Sequence, residues 1–357
     1  MTSESAKRFK YWQYRTIAAT MVGYTLFYFL RKNFSLAMPG IESELGITKT
    51  SLGAFLTLHG LVYGLSKFLN GYWGDRCNSR TYMMVGLALC LLVNVAFGFG
   101  PVFAEVFTGT PSGPAFMSAL IVILGVLWVL NGLFQGSGFP PCARLLTHWI
   151  PPNELATKMS IWNTSHSVGA GLIAILCGYI MAYGGPGAWR FCFWAPAVIA
   201  GAGLLALAAA LRDTPSSVGL PEIAATEVRG ARANEPVNRQ FLRERVFCNP
   251  LIWMLGCANF TIYVVRFAVL DWGPTLLKES KGLSLDHAGW MVAAFEIAGV
   301  AGMLGAGWIT DRFMKGRAPR TCVFCMAGAA LFMFCFWMLP ATAPSWLLFA
   351  TLLAAGF

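Results

Sequence analysis

The sequence predicts an all-α membrane protein built from two six-helix pseudo-repeats, the second of them incomplete. Three observations carry this reading. Of 357 residues, 57% are apolar and 12% are charged, against roughly 45–50% and about 25% in soluble domains; mean hydropathy is +0.60. Apolar runs of bilayer length, about 20 residues, recur along the whole chain. Two short motifs each occur twice at nearly one spacing. The apolar content excludes a disordered chain, and the length excludes a small disulfide scaffold.

The predicted spans lie near 16–39, 52–73, 81–103, 118–144, 160–183, 189–211, 251–275, 287–310 and 321–340. A tenth starts near 345 and runs to Phe357. Between the sixth and seventh lies the polar stretch 212–250, with Arg212, Arg229, Arg232, Arg239, Arg243 and Arg245. It reads as a cytoplasmic linker between a bundle at 1–211 and a partial bundle at 251–357. Gly71-Tyr-Trp-Gly-Asp75-Arg76 follows span two, and Gly307-Trp-Ile-Thr-Asp311-Arg312 follows span eight, 236 residues on. Tyr28-Phe-Leu-Arg31 in span one is matched by Tyr263-Val-Val-Arg266 in span seven, 235 residues on. Two motifs with nearly one offset indicate a duplicated six-span unit. By that offset a complete second half would end near residue 446, so the chain reads as C-terminally truncated, with about nine to ten of twelve spans.

The net charge of +10 does not point to nucleic acid, because the cations follow a membrane pattern. With the N-terminus inside, 18 Lys and Arg fall on the inner side, 4 on the outer side, and 4 within spans. That asymmetry sets orientation. No cleavable signal is visible: Lys7, Arg8, Lys10 and Arg15 run straight into the first span. The ten cysteines are scattered, and Cys322-x-x-Cys325 sits in an apolar helix without partner ligands, so it reads as packing.

The four cations within spans are Arg31, Lys32, Lys67 and Arg266. A charge at the bilayer centre costs about 2.5–3.5 kcal/mol on insertion scales. Snorkelling or pairing inside the bundle is the plain explanation. Only Glu296 offers an obvious carboxylate within a span, which leaves an excess of about three cations and favours an anionic ligand. Each of three cations has a tyrosine one turn before it. Tyr24, Tyr28 and Arg31 share a face, Tyr63 stands four residues before Lys67, and Tyr263 three before Arg266. Lys32 is about 100° round from Arg31 and falls off that face. The planar fork of arginine suits phosphate oxygens, so Arg31 and Arg266, from equivalent places in the two halves, are expected to clamp one phosphate in a shared cavity, with Lys67 adding a point charge. His166, in Trp162-Asn163-Thr164-Ser165-His166, can titrate near neutral pH and is expected beside them. His59 reads as structural, and His148 and His287 receive no role. Asp75, Arg76, Asp311 and Arg312 are expected to hold helix ends on the cytoplasmic side, as gating and structural positions.

At this point the motifs resemble a known family. Gly71–Arg80 and its second-half partner resemble the loop signature of the major facilitator superfamily. Tyr28-Phe-Leu-Arg-Lys-Asn-Phe34, Tyr63-Gly-Leu-Ser-Lys67-Phe68, Phe134-Gln-Gly-Ser-Gly-Phe-Pro-Pro141, Trp162-Asn-Thr-Ser-His166, Arg212-Asp-Thr-Pro215, Gly219-Leu-Pro221 and Tyr263-Val-Val-Arg266 through Asp271-Trp272 resemble the organophosphate:inorganic phosphate antiporters. That group includes glycerol-3-phosphate and hexose-phosphate transporters and a hexose-phosphate sensor. The resemblance implies the major facilitator fold, a substrate phosphate held at Arg31 and Arg266 with help from Lys67 and His166, and exchange of an organic phosphate for inorganic phosphate by alternating access across a bacterial inner membrane. The protein is expected to act as a monomer without a cofactor. A sensor that signals to a membrane kinase is the alternative. No nucleophile–base pair, metal-ligand cluster or phosphate-binding glycine loop suggests an enzyme.

Overall fold

The computed structural model describes residues 3–74, 76–222, 240, 243–313, 318–340 and 342–357. Helices account for nearly all of them, and no strand occurs among the described residues. The first half contains α1 (Ser3–Leu45), α2 (Lys49–Gly74), α3 (Ser79–Gly98), α4 (Gly100–Thr108), α5 (Pro114–Gln135), α6 (Phe139–Trp149), α7 (Pro152–Tyr183) and α8 (Ala188–Ala210). The second contains α9 (Pro250–Phe267), a π-helical turn (Ala268–Trp272), α10 (Gly273–Lys281), α11 (Leu285–Arg312), α12 (Ala318–Met338) and α13 (Ser345–Gly356).

Among the described residues eight segments are long and apolar enough to cross a bilayer. They match the predicted spans two to nine. Span one is too polar to qualify by composition, yet α1 runs 43 residues through the centre of the first half. Two expected boundaries shift. The fourth span is two helices, α5 and α6, separated at Gly136-Ser137-Gly138, and the seventh is broken by the π turn. Helix ends carry ordinary stop and start chemistry. Asn78 Oδ1 accepts from Thr81 N–H at 3.0 Å and caps α3. Gly46 takes a left-handed φ of 68° after α1, where a side chain would be strained.

The interior of the first half is aromatic at one level and polar at the next. Phe34, Phe97, Trp128 and Phe193 pack together, with Phe34 and Trp128 stacked at 4.5 Å. Just beside them Asn94 Nδ2 donates to Leu30 O (3.0 Å) and Cys90 O (2.9 Å), Asn131 Nδ2 to Leu30 O (2.9 Å), and Asn33 Nδ2 to Asn94 Oδ1 (2.8 Å) and Cys192 O (2.9 Å). Without water in the bilayer, each amide must find a protein partner. These bonds pin α1 to α3, α5 and α8 at the level of Arg31.

The two halves meet most closely along α7 and α11. Gly178 and Gly289 let the backbones touch: a Cβ on Gly289 would lie 2.5 Å from Ala174 O. Trp290 Nε1 donates to Tyr179 Oη (3.2 Å) and Tyr183 Oη to Asp286 Oδ2 (3.3 Å) at the same end. At the opposite end the loop ends are held within the first half. Arg144 Nη1 donates to Gly74 O (2.9 Å) and Cys77 O (2.7 Å), while Asp213 Oδ1 accepts from Ser79 N–H (2.8 Å). Among the described residues Arg76 meets the end of its own helix, donating to Tyr72 O (3.0 Å) and lying over the Tyr72 ring (3.7 Å). Arg312 is exposed. Asp75 and the side chain of Asp311 lie outside the described residues.

Candidate functional site

A cavity of about 630 Å³ lies between the halves. Six of the expected residues line it: Tyr24, Tyr28, Lys67, His166, Tyr263 and Arg266. Two do not. Arg31 and Tyr63 stand behind the wall, with the Arg31 guanidinium 4.0 Å from the Tyr28 ring centroid and 4.7 Å from that of Tyr63. The expectation that Arg31 faces the cavity directly is therefore corrected. Helical spacing put Tyr28 and Arg31 on one face, and on that face the larger, flatter ring covers the longer side chain.

Arg266 is fully engaged. Its Nη2 donates to Glu296 Oε2 (2.7 Å) and Oε1 (2.9 Å), its Nε to Oε1 (3.1 Å), and its Nη1 to His166 Nε2 (2.9 Å). Glu296 is 2% exposed and comes from α11. His166 Nδ1 faces Asn163 O. A carbonyl can only accept and a guanidinium can only donate. The ring is thus held with its proton on Nδ1 and its Nε2 lone pair toward Arg266.

Lys67 Nζ lies 4.4 Å from the centroid of the Tyr63 ring, which Arg31 also approaches. Tyr63 thereby contacts two cations through one ring. Among the described residues neither Arg31 nor Lys67 forms an ion pair.

Lys32 is not idle. Its Nζ lies 2.5 Å from Asp271 Oδ1, across the halves, and 4.4 Å from the Phe267 ring. The count of one carboxylate among four cations is corrected accordingly: Asp271 joins Glu296, and the formal excess falls to two. Asp271 escaped because the apolar run around it reads as the end of a span. The π turn brings it inward, and an aspartate within five residues of Arg266 was the available signal.

The sequence profile of the Major Facilitator Superfamily matches residues 20–357. The chain belongs to the Major Facilitator Superfamily. It is 39% identical over 335 residues to a probable hexose phosphate transport protein of Chlamydia pneumoniae, covering 89% of this chain and 69% of that one. To the glycerol-3-phosphate transporter of Bacillus subtilis (strain 168) it is 36% identical, covering 90% and 70%. To the membrane sensor protein UhpC of Salmonella typhimurium it is 35% identical, covering 93% and 72%. The organophosphate transporter and sensor group named from the motifs is the group to which this superfamily member is related. A solved bacterial homologue of the human lysosomal transporter Spinster superposes with a TM-score of 0.70 at 16% identity, covering 97% of this chain and 73% of that one. This confirms the fold, with about 70% of the curated relatives' length represented here.

Proposed function

We propose that this superfamily member exchanges an organic phosphate for inorganic phosphate by alternating access, in a bacterial inner membrane with its N-terminus cytoplasmic. One observation carries the reading. Arg266 from the second half and Lys67 and His166 from the first converge on one cavity, with Arg31 directly behind its wall. The two-oxygen grip of Glu296 on Arg266 displays the forked geometry that a phosphate would use.

The charge balance supports exchange rather than free passage. Closing an empty site around two uncompensated cations is costly in a membrane. A phosphate dianion removes that cost, so reorientation favours the loaded protein. The halves touch at the Tyr183–Leu285 end, and the cavity reaches Lys67 toward the Gly74 end, an arrangement that suits access from the cytoplasm. No covalent chemistry and no cofactor is needed, and the working unit is a monomer.

The relation to a membrane sensor favours one other reading, a sugar-phosphate receptor that signals to a kinase. Phosphate counterflow in vesicles containing the full-length protein separates the two. Exchange of labelled inorganic phosphate against an organic phosphate supports the transporter. Saturable binding without flux replaces it by the receptor, and neither binding nor flux removes both.

A further inference from the structure

Arg31 is 8% exposed, and its buried Nε has no hydrogen-bond partner among the described residues. Its guanidinium rests on one face of the Tyr28 ring at 4.0 Å. The ring also meets the edge of Tyr24, with centroids 5.5 Å apart, and His166, with centroids 5.7 Å apart and planes tilted by 56°. His166 in turn accepts from Arg266 at 2.9 Å. The order across the interface is therefore Arg31, the Tyr28 ring, His166, Arg266. Tyr28 lines the cavity and Arg31 does not.

We propose that Tyr28 is a shutter: its ring, as placed here, shields Arg31 from the cavity, and it swings aside when a phosphate held at Arg266 and Lys67 reaches for the second arginine. The proposal rests on the phosphate-clamp reading for what opens the shutter, though not for the shielding itself.

The movement belongs to the side chain alone. The backbone at Tyr28 is fixed by close packing of α1 on α7, where a Cβ on Gly169 would lie 2.9 Å from Tyr28 Cβ and 3.0 Å from Thr25 O. Thr25 Oγ1 donates to Ser165 O at 3.0 Å in the same seam. Side-chain rotation of a half-buried ring is a local event beside domain motion. A face-on contact between a guanidinium and a ring is weaker than the charge-assisted bonds that a phosphate offers. The Nε of Arg31 gains a partner in the same step, and the Tyr28 hydroxyl can donate to the ligand. The shutter thereby makes phosphate capture sequential, with the second-half arginine and Lys67 engaged first and Arg31 last.

Site-resolved phenylglyoxal modification of the full-length, ligand-free protein in lipid vesicles, followed by mass spectrometry, tests the shielding. Arg31 is expected to react slowly in the wild type and in Tyr28→Phe, which keeps the ring, and at least 10-fold faster in Tyr28→Ala. Tyr28→Val, closer in bulk, serves the same purpose if the alanine variant does not fold. Equal rates in the ring-bearing and ring-less proteins overturn the proposal. Saturating inorganic phosphate is then expected to protect the uncovered Arg31. Fast labelling without protection leaves the shutter standing and removes Arg31 from the phosphate clamp, so the two ideas fail separately.

Discussion

The ammonium of Lys32 and the carboxylate of Asp271, 2.5 Å apart, join the helix that carries Arg31 to the turn that follows Arg266. Both partners are largely buried, at 7% and 20% side-chain exposure. Breaking such a pair leaves one uncompensated charge and costs about 3–5 kcal/mol, whereas removing both is far milder. Lys32→Ala and Asp271→Asn are each expected to lower the melting temperature of the detergent-purified protein markedly. Lys32→Ala/Asp271→Ala should recover most of the loss. A double variant as unstable as the sum of the singles would show that the pair carries no coupling.

Arg266→Lys keeps the charge and loses the fork. The four hydrogen bonds from Arg266 to Glu296 and His166 cannot be reproduced by one ammonium. A phosphate gripped by the same fork would lose at least one charge-assisted bond to a lysine, about 1.5–3 kcal/mol, or roughly 10- to 150-fold in affinity. The same range is expected for Arg31→Lys. Phosphate binding measured calorimetrically on the full-length protein checks this, and a loss under about threefold would mean that charge alone matters at that site.

The spans, the duplication and the cavity residues around Arg266 were legible because each rests on a local pattern. Apolar length finds a membrane helix, and a tyrosine one turn before a cation finds a helix face. Two features were not legible. Arg31 lies behind Tyr28 because a face shared along one helix says nothing about which side chain stands in front. Asp271 pairs with Lys32 because a π turn rotates it inward, and no residue in Ala268–Trp272 announces that turn. The Asn33, Asn94 and Asn131 network was equally silent, although three asparagines within apolar spans are unusual enough to have marked a buried polar layer.

His166 connects the site to pH through its tautomer. Its Nε2 is occupied by Arg266 in this structure, so it cannot carry a proton there while Nδ1 faces Asn163 O. A phosphate that takes over Arg266 frees Nε2, which can then bind a proton and donate to the ligand. Proton uptake on binding makes phosphate affinity rise as pH falls through the histidine range, near 6.5 for a free side chain. The wild type is expected to bind more tightly at about pH 5.5 than at about pH 8, after allowance for the titration of phosphate itself. His166→Gln should retain only the ligand's own dependence. An identical pH profile in the two proteins would take His166 out of the coupling.

The contact between α7 and α11 should set which way the cavity opens. A Cβ at position 289 would lie 2.5 Å from Ala174 O and 3.2 Å from Ala174 C, and both are backbone atoms that cannot rotate away. Gly289→Ala therefore forces the helices apart at the Tyr183–Asp286 end. The hydrogen bonds from Trp290 to Tyr179 and from Tyr183 to Asp286 span the same gap and weaken with it. A packed interface of this kind has discrete arrangements, so the strain favours the state open at that end rather than a slightly looser closed one. Ala174, now 2% exposed, should then meet solvent. A cysteine placed at 174 is expected to react several-fold faster with a membrane-impermeant thiol reagent when residue 289 is alanine than when it is glycine, and exchange should slow because the closed state is harder to reach. Unchanged labelling with normal exchange would show that the two glycines are merely tolerated, and that closure at this end depends on other contacts.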